Sequence, residues 1–510
     1  FVGRKRNFPK IKIYFKKTQY QYEYDCKYTL DERTWNDLDM DLVFEQIDRT
    51  VTIPGEHVLY SMLRTPLFFK KEINDRSRII NFFLQNNDIR EKYQLILSKL
   101  GRKDGGEYLV DLIWKNRPPT IKFISLYRFV LFLIPILIIL CIFNYSLAWF
   151  GLIAILLSNM IIHYRKKTKI YEYMPSIHYL GKLIKCAKKF SMIKHPVLHI
   201  YQKRIESNLN ELSHLIDKIN LIAWDSNNFL YDYVNILFLV EIRAFNYILK
   251  FIEKHDNQLQ QIYNTIGFID TMISVASFRA GLKSYIEPEF MNSGPFLNIK
   301  EVVHPVLDNP VPNSIFVKSG GILITGSNMS GKTTFLKTIG VNLVLAQTIS
   351  TCLAKKFQSY LFKTITLMNR KDNLKEGKSY YLDEMQALLR IINATNCNVL
   401  SFCLLDEVLH GTNSIERISA SAETLIYLVK HNCCVFATTH DIELTKLTDD
   451  LYKNYHFKEE FNKKGILFNY KLIKGPSRTR NAINLLSLVG FPKEIYSSAA
   501  IRVQKMMKKG

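Results

Sequence analysis

The eight cysteines include no CxxC pair, and several sit inside apolar runs. Metal knuckles need paired ligands at turn spacing, so these thiols read as small buried side chains in a reduced, cytosolic setting. No secretory leader opens the sequence, whose first residue is Phe1. No fixed-period repeat or low-complexity tract appears, which excludes a solenoid. Acidic residues are few, with 46 Asp and Glu against 69 Lys and Arg. The resulting formal charge of +23 favours a polyanionic partner, either nucleic acid or an acidic membrane face. Apolar residues make up 47% of the chain, an ordinary globular share, so disorder is excluded as well.

Charge is missing altogether from 129–162, "FVLFLIPILIILCIFNYSLAWFGLIAILLSNMII". One helix over that run would extend about 51 Å, far beyond a hydrocarbon core of about 30 Å. The polar "NYS" at 144–146 divides it into two arms. Arg117, Lys122 and Arg128 precede the run, and Arg165, Lys166, Lys167 and Lys169 follow it. The positive-inside rule then predicts a two-span transmembrane hairpin in the cell (inner) membrane, with both termini cytoplasmic and the turn on the far side. The bilayer thus becomes an expected partner.

Residues 1–30 are basic and aromatic, with no clear element. Apolar residues at spacings of three and four predict helices from 31 to about 115 and again over 166–286. From about 295 short β-rich runs alternate with helices, the pattern of a largely parallel sheet. The expected fold is a multidomain α+β chain in which a helical core and lever carry the hairpin and lead into an α/β P-loop unit. Its divisions are a basic segment (1–30), the first part of the core (31–120), the hairpin (121–165), the lever and second part of the core (166–290) and the P-loop unit (291–510).

The chemistry lies in that last unit. Gly326, Ser327, Asn328, Met329, Ser330, Gly331, Lys332 and Thr333 satisfy G-x-x-x-x-G-K-[ST], between a strand "ILIT" and a helix that Thr334 continues. Such a loop wraps phosphates with backbone N–H groups and a helix N-terminus. Lys332 is expected on the β- and γ-phosphates of ATP, and the Thr333 hydroxyl on Mg²⁺. The apolar strand in "VLSFCLLDEVLHGT" ends at Asp406 and Glu407. Asp406 suits the metal's shell, and Glu407 suits a general base or water-orienting group. A second apolar strand, "CCVFATTH", ends at His440, within reach of a γ-phosphate or its attacking water. Upstream, Gly377 and Ser379 in "DNLKEGKSYYLDEM" lead into a helix, either as an anion site or as a local cap.

In order, these motifs resemble the ATPase domain of the MutS family of DNA mismatch-repair proteins. The family's "TGPNMxGKST" stands here as "TGSNMSGKTT", its "LLDEIGRGT" as "LLDEVLHGT" and its "ATxH" as "ATTH". "DNLKEGKSYYLDEM", "HPV" at 304–306 and "YKLIKGPSRTRNAINLLSLVGFP" match further family elements. Upstream, "LDMDLVFEQIDRTVTIPGEHVLYSMLRTPL" is similar to the family's helical core, and "FIDTMISVASFRAGLKSYIEPEF" resembles its closing lever. The resemblance implies an ATPase using ATP and Mg²⁺, a homodimer formed through the ATPase domains, Ser379 presented in trans, and binding to DNA. Ser327 replaces the family's Pro, Leu409 and His410 replace "GR", and Glu416-Arg417 stand at the usual Asp-Gly. The roughly 30 residues before the core hold no mismatch-wedge domain, so phosphate contacts are expected to dominate any DNA binding. Two other classes differ in kind. A transporter motor would carry an LSGGQ-type signature before the acidic strand, where none stands. A nucleotide-gated membrane scaffold or motor acting on a non-DNA partner shares every motif but not the ligand.

Overall fold

The computed structural model of the chain describes residues 6–24, 28–102, 108–114, 118, 124–222, 237–293, 296–327, 330–368, 380–395, 399–409, 413–431, 433–462, 465–477 and 490–507. Helices fill it up to Ala280, and strands alternate with helices beyond, so the two-part α+β architecture is present.

Among the described residues, seven helices precede the apolar run: α1 (Phe8–Tyr24), α2 (Glu32–Asp37), α3 (Met40–Ile47), α4 (Ile53–Arg64), α5 (Lys70–Gln85), α6 (Asn87–Leu100) and α7 (Leu109–Ile113). Helix α1 occupies the basic segment in which the sequence pattern indicated no element. Its buried residues Ile11, Tyr14, Phe15 and Thr18 recur on one face, and that face packs on α4. Thr52 caps α4, its hydroxyl accepting from Gly55 N at 3.0 Å, with a proline in the first turn.

The apolar run folds as α8 (Ile124–Ile142) and α9 (Ser146–Met192), joined by a tight turn in which Asn144 takes a left-handed φ of 60°. The run forms a helix–turn–helix, but its two arms are unequal and do not make the two full spans expected. Among the described residues, Ser146–Thr168 alone is long and apolar enough to cross a membrane, while the other arm offers the shorter apolar helix Phe132–Ile142. The turn ends α8 at Ile142, and Arg128 falls near its start, which leaves it fewer uncharged residues than the roughly 20 of an ordinary span. Helix α9 then runs unbroken past 165–166 and through Pro175 into the helical core, where Ile177, Leu180, Leu183, Ile184 and Phe190 are buried.

Among the described residues, three helices complete this part: α10 (His199–Ile222), α11 (Val240–Lys254) and α12 (Asp256–Ala280). Helix α12 packs most closely on α4. The Asp270 carboxylate accepts from Val51 N (3.1 Å), Thr52 N (2.9 Å) and Thr52 Oγ1 (2.6 Å), tying the two helices together where α4 begins. Burial raises the Asp270 carboxyl to about 6 despite these donors.

The second part holds β1 (Glu289–Phe290), β2 (Leu297–Val302), β3 (Asn313–Val317), β4 (Gly321–Thr325), α13 (Lys332–Ile349), β5 (Lys356–Ser359), β6 (Lys363–Leu367), α14 (Tyr380–Thr395), β7 (Ser401–Asp406), α15 (Ser414–Lys430), β8 (Cys433–Thr439), α16 (Ile442–Leu447), β9 (Tyr452–Asn462), β10 (Gly465–Lys474) and α17 (Lys493–Met507). The main sheet has the order β10-β9-β4-β8-β7-β6, parallel except for the edge strand β10. A smaller sheet, β1-β5-β2-β3, flanks it. Cys403, Cys433 and Cys434 are buried in β7 and β8 as free thiols, as the absence of ligand pairs suggested.

Close approach of α4 and α12 depends on glycine. A Cβ on Gly267 would lie 2.5 Å from the Pro54 carbonyl oxygen and 2.6 Å from Val58 Cγ2. Backbone cannot yield as a side-chain tip can, so Gly267→Ala is expected to destabilise the helical part by about 1–3 kcal/mol. The check is a urea titration, in which the midpoint falls while the slope is unchanged.

Candidate nucleotide site

Strands β4, β8 and β7 lie side by side in parallel, so the segments leaving their carboxyl ends meet at one edge of the sheet. Register completes the alignment, with Thr325 opposite Thr439 and Asp406 opposite Thr438. The glycine loop, the acidic pair and His440 therefore converge, although 73 positions separate Thr333 from Asp406.

Gly326 and Gly331 have φ of 147° and 103°, values that a residue with a Cβ rarely adopts. They let the loop turn back so that Gly331 caps α13, with Phe335 N donating to its carbonyl at 2.9 Å. Lys332 is buried to 5% exposure, and its Nζ donates to the carbonyls of Gly326 (2.8 Å) and Ser327 (2.7 Å), which sets its charge over the loop. Ser330 Oγ is buried and finds no hydrogen-bond partner among the described residues. Thr334 is exposed at the rim of the cleft. Asn328, Met329, His410 and Ser379 lie outside the described residues.

Thr333 Oγ1 donates to Asp406 Oδ2 at 2.6 Å, which places together the two oxygen ligands expected for Mg²⁺. An all-oxygen donor set suits a hard cation, and Mg²⁺ carried by a nucleotide needs only one or two protein ligands. Glu407 has a left-handed φ of 55°, which turns its side chain back over the strand ends. Its Oε1 lies 2.5 Å from His440 Nε2, and the same imidazole nitrogen is 3.5 Å from Lys332 Nζ. The structure thus brings Lys332, Thr333, Asp406, Glu407 and His440 into one chain of contacts.

Two further features escaped the sequence pattern. The Thr438 hydroxyl donates to Asp406 Oδ1 and accepts from Glu407 N at 3.1 Å, so it orients both members of the acidic pair. Only the strand register identifies it. The second feature is a cleft of about 450 Å³ that runs from the loop towards β2 and β3. Its apolar wall includes Val302, Leu307, Val311, Phe335, Phe457 and Tyr470. Tyr470 sits at an irregularity in the β9–β10 pairing with φ of 51°, held there by Asn313, which donates to its carbonyl at 2.9 Å. His304 closes the far side. Burial, reinforced by Lys337 against the pull of Asp39, holds its imidazolium down to about 4, so the ring is neutral at pH 7.

Thr438→Val keeps the side-chain shape and removes the hydroxyl. With one charge-assisted hydrogen bond lost, Mg²⁺-dependent nucleotide affinity is expected to fall about tenfold, while affinity measured in EDTA stays unchanged. Titration of a fluorescent ATP analogue under both conditions checks this, and an equal loss in both would place Thr438 outside the metal's shell.

Comparison with known proteins agrees with both parts of the fold. The family model for MutS domain III matches residues 39–276, and that for MutS domain V matches residues 322–507. The DNA mismatch repair protein MutS of Clostridium botulinum is 31% identical over 275 residues, covering 51% of this chain and 29% of that protein. The DNA mismatch repair protein MutS of Fusobacterium nucleatum is 30% identical over 285 residues, covering 53% of this chain and 31% of its own length. The matched region is thus less than a third of those relatives. Two domain models along the chain, one over the helical part and one over the glycine loop and its carboxylates, identify the chain as a member of the MutS family.

Proposed function

We propose that this chain is a membrane-tethered MutS-family ATPase that works as a homodimer on duplex DNA, in a role related to mismatch repair. The observation that carries the ATPase reading is the contact chain from Lys332 through His440 to Glu407, with Thr333 and Asp406 beside it. Lys332 and the N-terminus of α13 hold the phosphates. The apolar wall ending at Tyr470 receives the base. Thr333 and Asp406 hold Mg²⁺, which neutralises charge on the β- and γ-phosphates when bound. Glu407 takes the proton of the attacking water, and His440 positions the Glu407 carboxylate.

Dimerisation through this unit is supported by apolar surface next to the site. Leu382, Met385 and Leu389 are exposed along α14, the helix that follows Ser379, and Ile415 is 74% exposed at the start of α15. A second copy covering these residues would bring its Ser379 towards the nucleotide in trans.

The tether is supported by an inside-out distribution of polarity along the hairpin. Leu147 is 85% exposed and Phe150 and Ile142 each 74%, whereas Asn159 and His163 are buried. Asn159 Nδ2 donates to the Leu237 carbonyl at 2.7 Å, so its amide faces protein, while the exposed Ser158 hydroxyl is satisfied by the Ala154 carbonyl of its own helix. Apolar groups outward and polar groups inward suit a lipid solvent. The Ser146–Thr168 segment of α9 spans, and the 19 residues of α8 cross beside it with Arg128 reaching the headgroups, so that the termini and the ATPase unit stay cytoplasmic. A nucleotide-gated scaffold acting on a non-DNA partner would use the same tether and the same site.

Lys332→Ala is expected to abolish ATP binding. Glu407→Gln is expected to retain binding within about threefold while turnover falls at least about 10²-fold, the usual contribution of a general base. Equal loss of binding in both variants would refute these roles. For topology, Tyr145→Cys is expected to be labelled from outside the cell by an impermeant maleimide, and Thr168→Cys only after lysis. Release of the protein by a high-salt wash would refute the span.

A further inference from the structure

The cytoplasmic half of α9 carries a surface that neither the nucleotide site nor the hairpin uses. Lys182, Lys185, Lys188 and Lys189 are exposed on it, and Lys182, Lys185 and Lys189 recur at helical spacing on one ridge. Lys194 follows just past the end of α9, and Lys203 and Arg204 lie on α10, all exposed. Glu172 is the single acid between Arg165 and Arg204. Among the described residues, no carboxylate pairs with Lys182, Lys188, Lys189 or Lys194. The positive field has a local signature, since burial and Lys182 together lower the His178 imidazolium. Where the ridge meets the start of α10, a hollow of about 530 Å³ is lined by Lys194, His195, His199 and Lys203, with Glu206 the one acid on its wall.

Two polyanions suit such a ridge, and helix geometry separates them. With Thr168 at the end of the span, α9 raises Lys182 about 21 Å and Lys189 about 32 Å along its axis. The headgroup layer is only about 5–8 Å deep, and the Debye length is about 8 Å in physiological salt. Arg165, Lys166 and Lys167 remain at the lipid surface, whereas the second cluster is held well clear of it. Among the described residues, no exposed Phe, Tyr or Trp stands among its lysines to stack unpaired bases, which favours a double helix over a single strand.

We infer that the Lys182–Lys189 ridge of α9, with the hollow at the start of α10, is a docking track for the phosphate backbone of duplex nucleic acid. This rests on the duplex-binding reading above and gives it a location. The track neutralises phosphates without contacting base edges, so it is indifferent to sequence and to mismatches. Because α9 is continuous from the bilayer to this ridge, the duplex is held at a fixed height above the membrane.

The test uses the full chain in detergent micelles and a fluorescent mixed-sequence DNA duplex, matched or carrying one mismatch, titrated across a salt series. Lys182→Ala/Lys189→Ala is expected to lower affinity about tenfold for both duplexes and to reduce the slope of log K against log salt by about 2. ATP turnover and thermal melting should match the parent, because both side chains are exposed and remote from the site. Lys166→Ala/Lys167→Ala is expected to leave duplex binding intact. Duplex binding by the parent with an unchanged slope in the double variant would overturn the location and leave the functional reading standing. No duplex binding by the parent at low salt would overturn both. If Lys182→Ala/Lys189→Ala instead weakened attachment to phosphatidylcholine–phosphatidylserine vesicles and spared the duplex, the ridge would be a lipid contact and the inference would be wrong.

Discussion

The architecture depends on how the far end of one helix is held. Helix α13 begins at the phosphate loop and ends inside the protein, where its last carbonyls have no partner of their own. Arg279, fully buried near the end of α12, supplies the donors. Its guanidinium reaches the carbonyls of Ile349 (3.2 Å) and Ser350 (2.7 Å) and Thr351 Oγ1 (2.9 Å), with Glu287 at 3.0 Å balancing the charge. A cation at a helix C-terminus also complements the dipole whose positive end faces the phosphates. Nearby, Leu67 N donates to the Gln347 carbonyl at 3.0 Å and Gln347 Nε2 donates back to Leu67 at 3.1 Å. The helical core and the nucleotide loop are therefore joined through a single rigid element.

That joint gives a continuous set of contacts from the glycine loop to the apolar hairpin. Lys332 and Thr333 open α13, and α13 is attached to α12 through Arg279. Helix α12 is attached to α4 through Asp270, and both pack within the core that α9 enters. Each connection is a buried polar contact. Helix α9 runs from that core past the lysine ridge to the apolar hairpin without an intervening loop.

Within the site, the parallel sheet does the positioning and the glycine loop does the shaping. The order β7-β8-β4 sets Asp406, Glu407, His440 and Lys332 at one edge. Thr438, on the central strand of the three, joins the acidic pair by hydrogen bonds from a position that no side chain elsewhere could occupy.

The sequence by itself determined the chemistry, because each part of it is local. The glycine loop, the DE pair after an apolar strand and the histidine after another need only their neighbours to be recognised, and their order was enough for the family resemblance. It also determined the two-part fold, since the switch from helical to strand periodicity near residue 295 is a local pattern. Helix α1 was hidden because its apolar face, Ile11, Tyr14, Phe15 and Thr18, is diluted by lysines and tyrosines that mask the period. The hairpin was legible as a turn between two apolar arms, but the point where α8 stops depends on the backbone at Asn144, which left one arm short. Tertiary structure alone decided the rest. Thr438 becomes a partner of Asp406 only through strand register, Tyr470 a wall of the cleft only through an irregular strand pairing, and Arg279 a cap for α13 only because α12 ends there. These contacts join residues 32, 157 and 71 positions apart, and their energy depends on burial that only the assembled core provides.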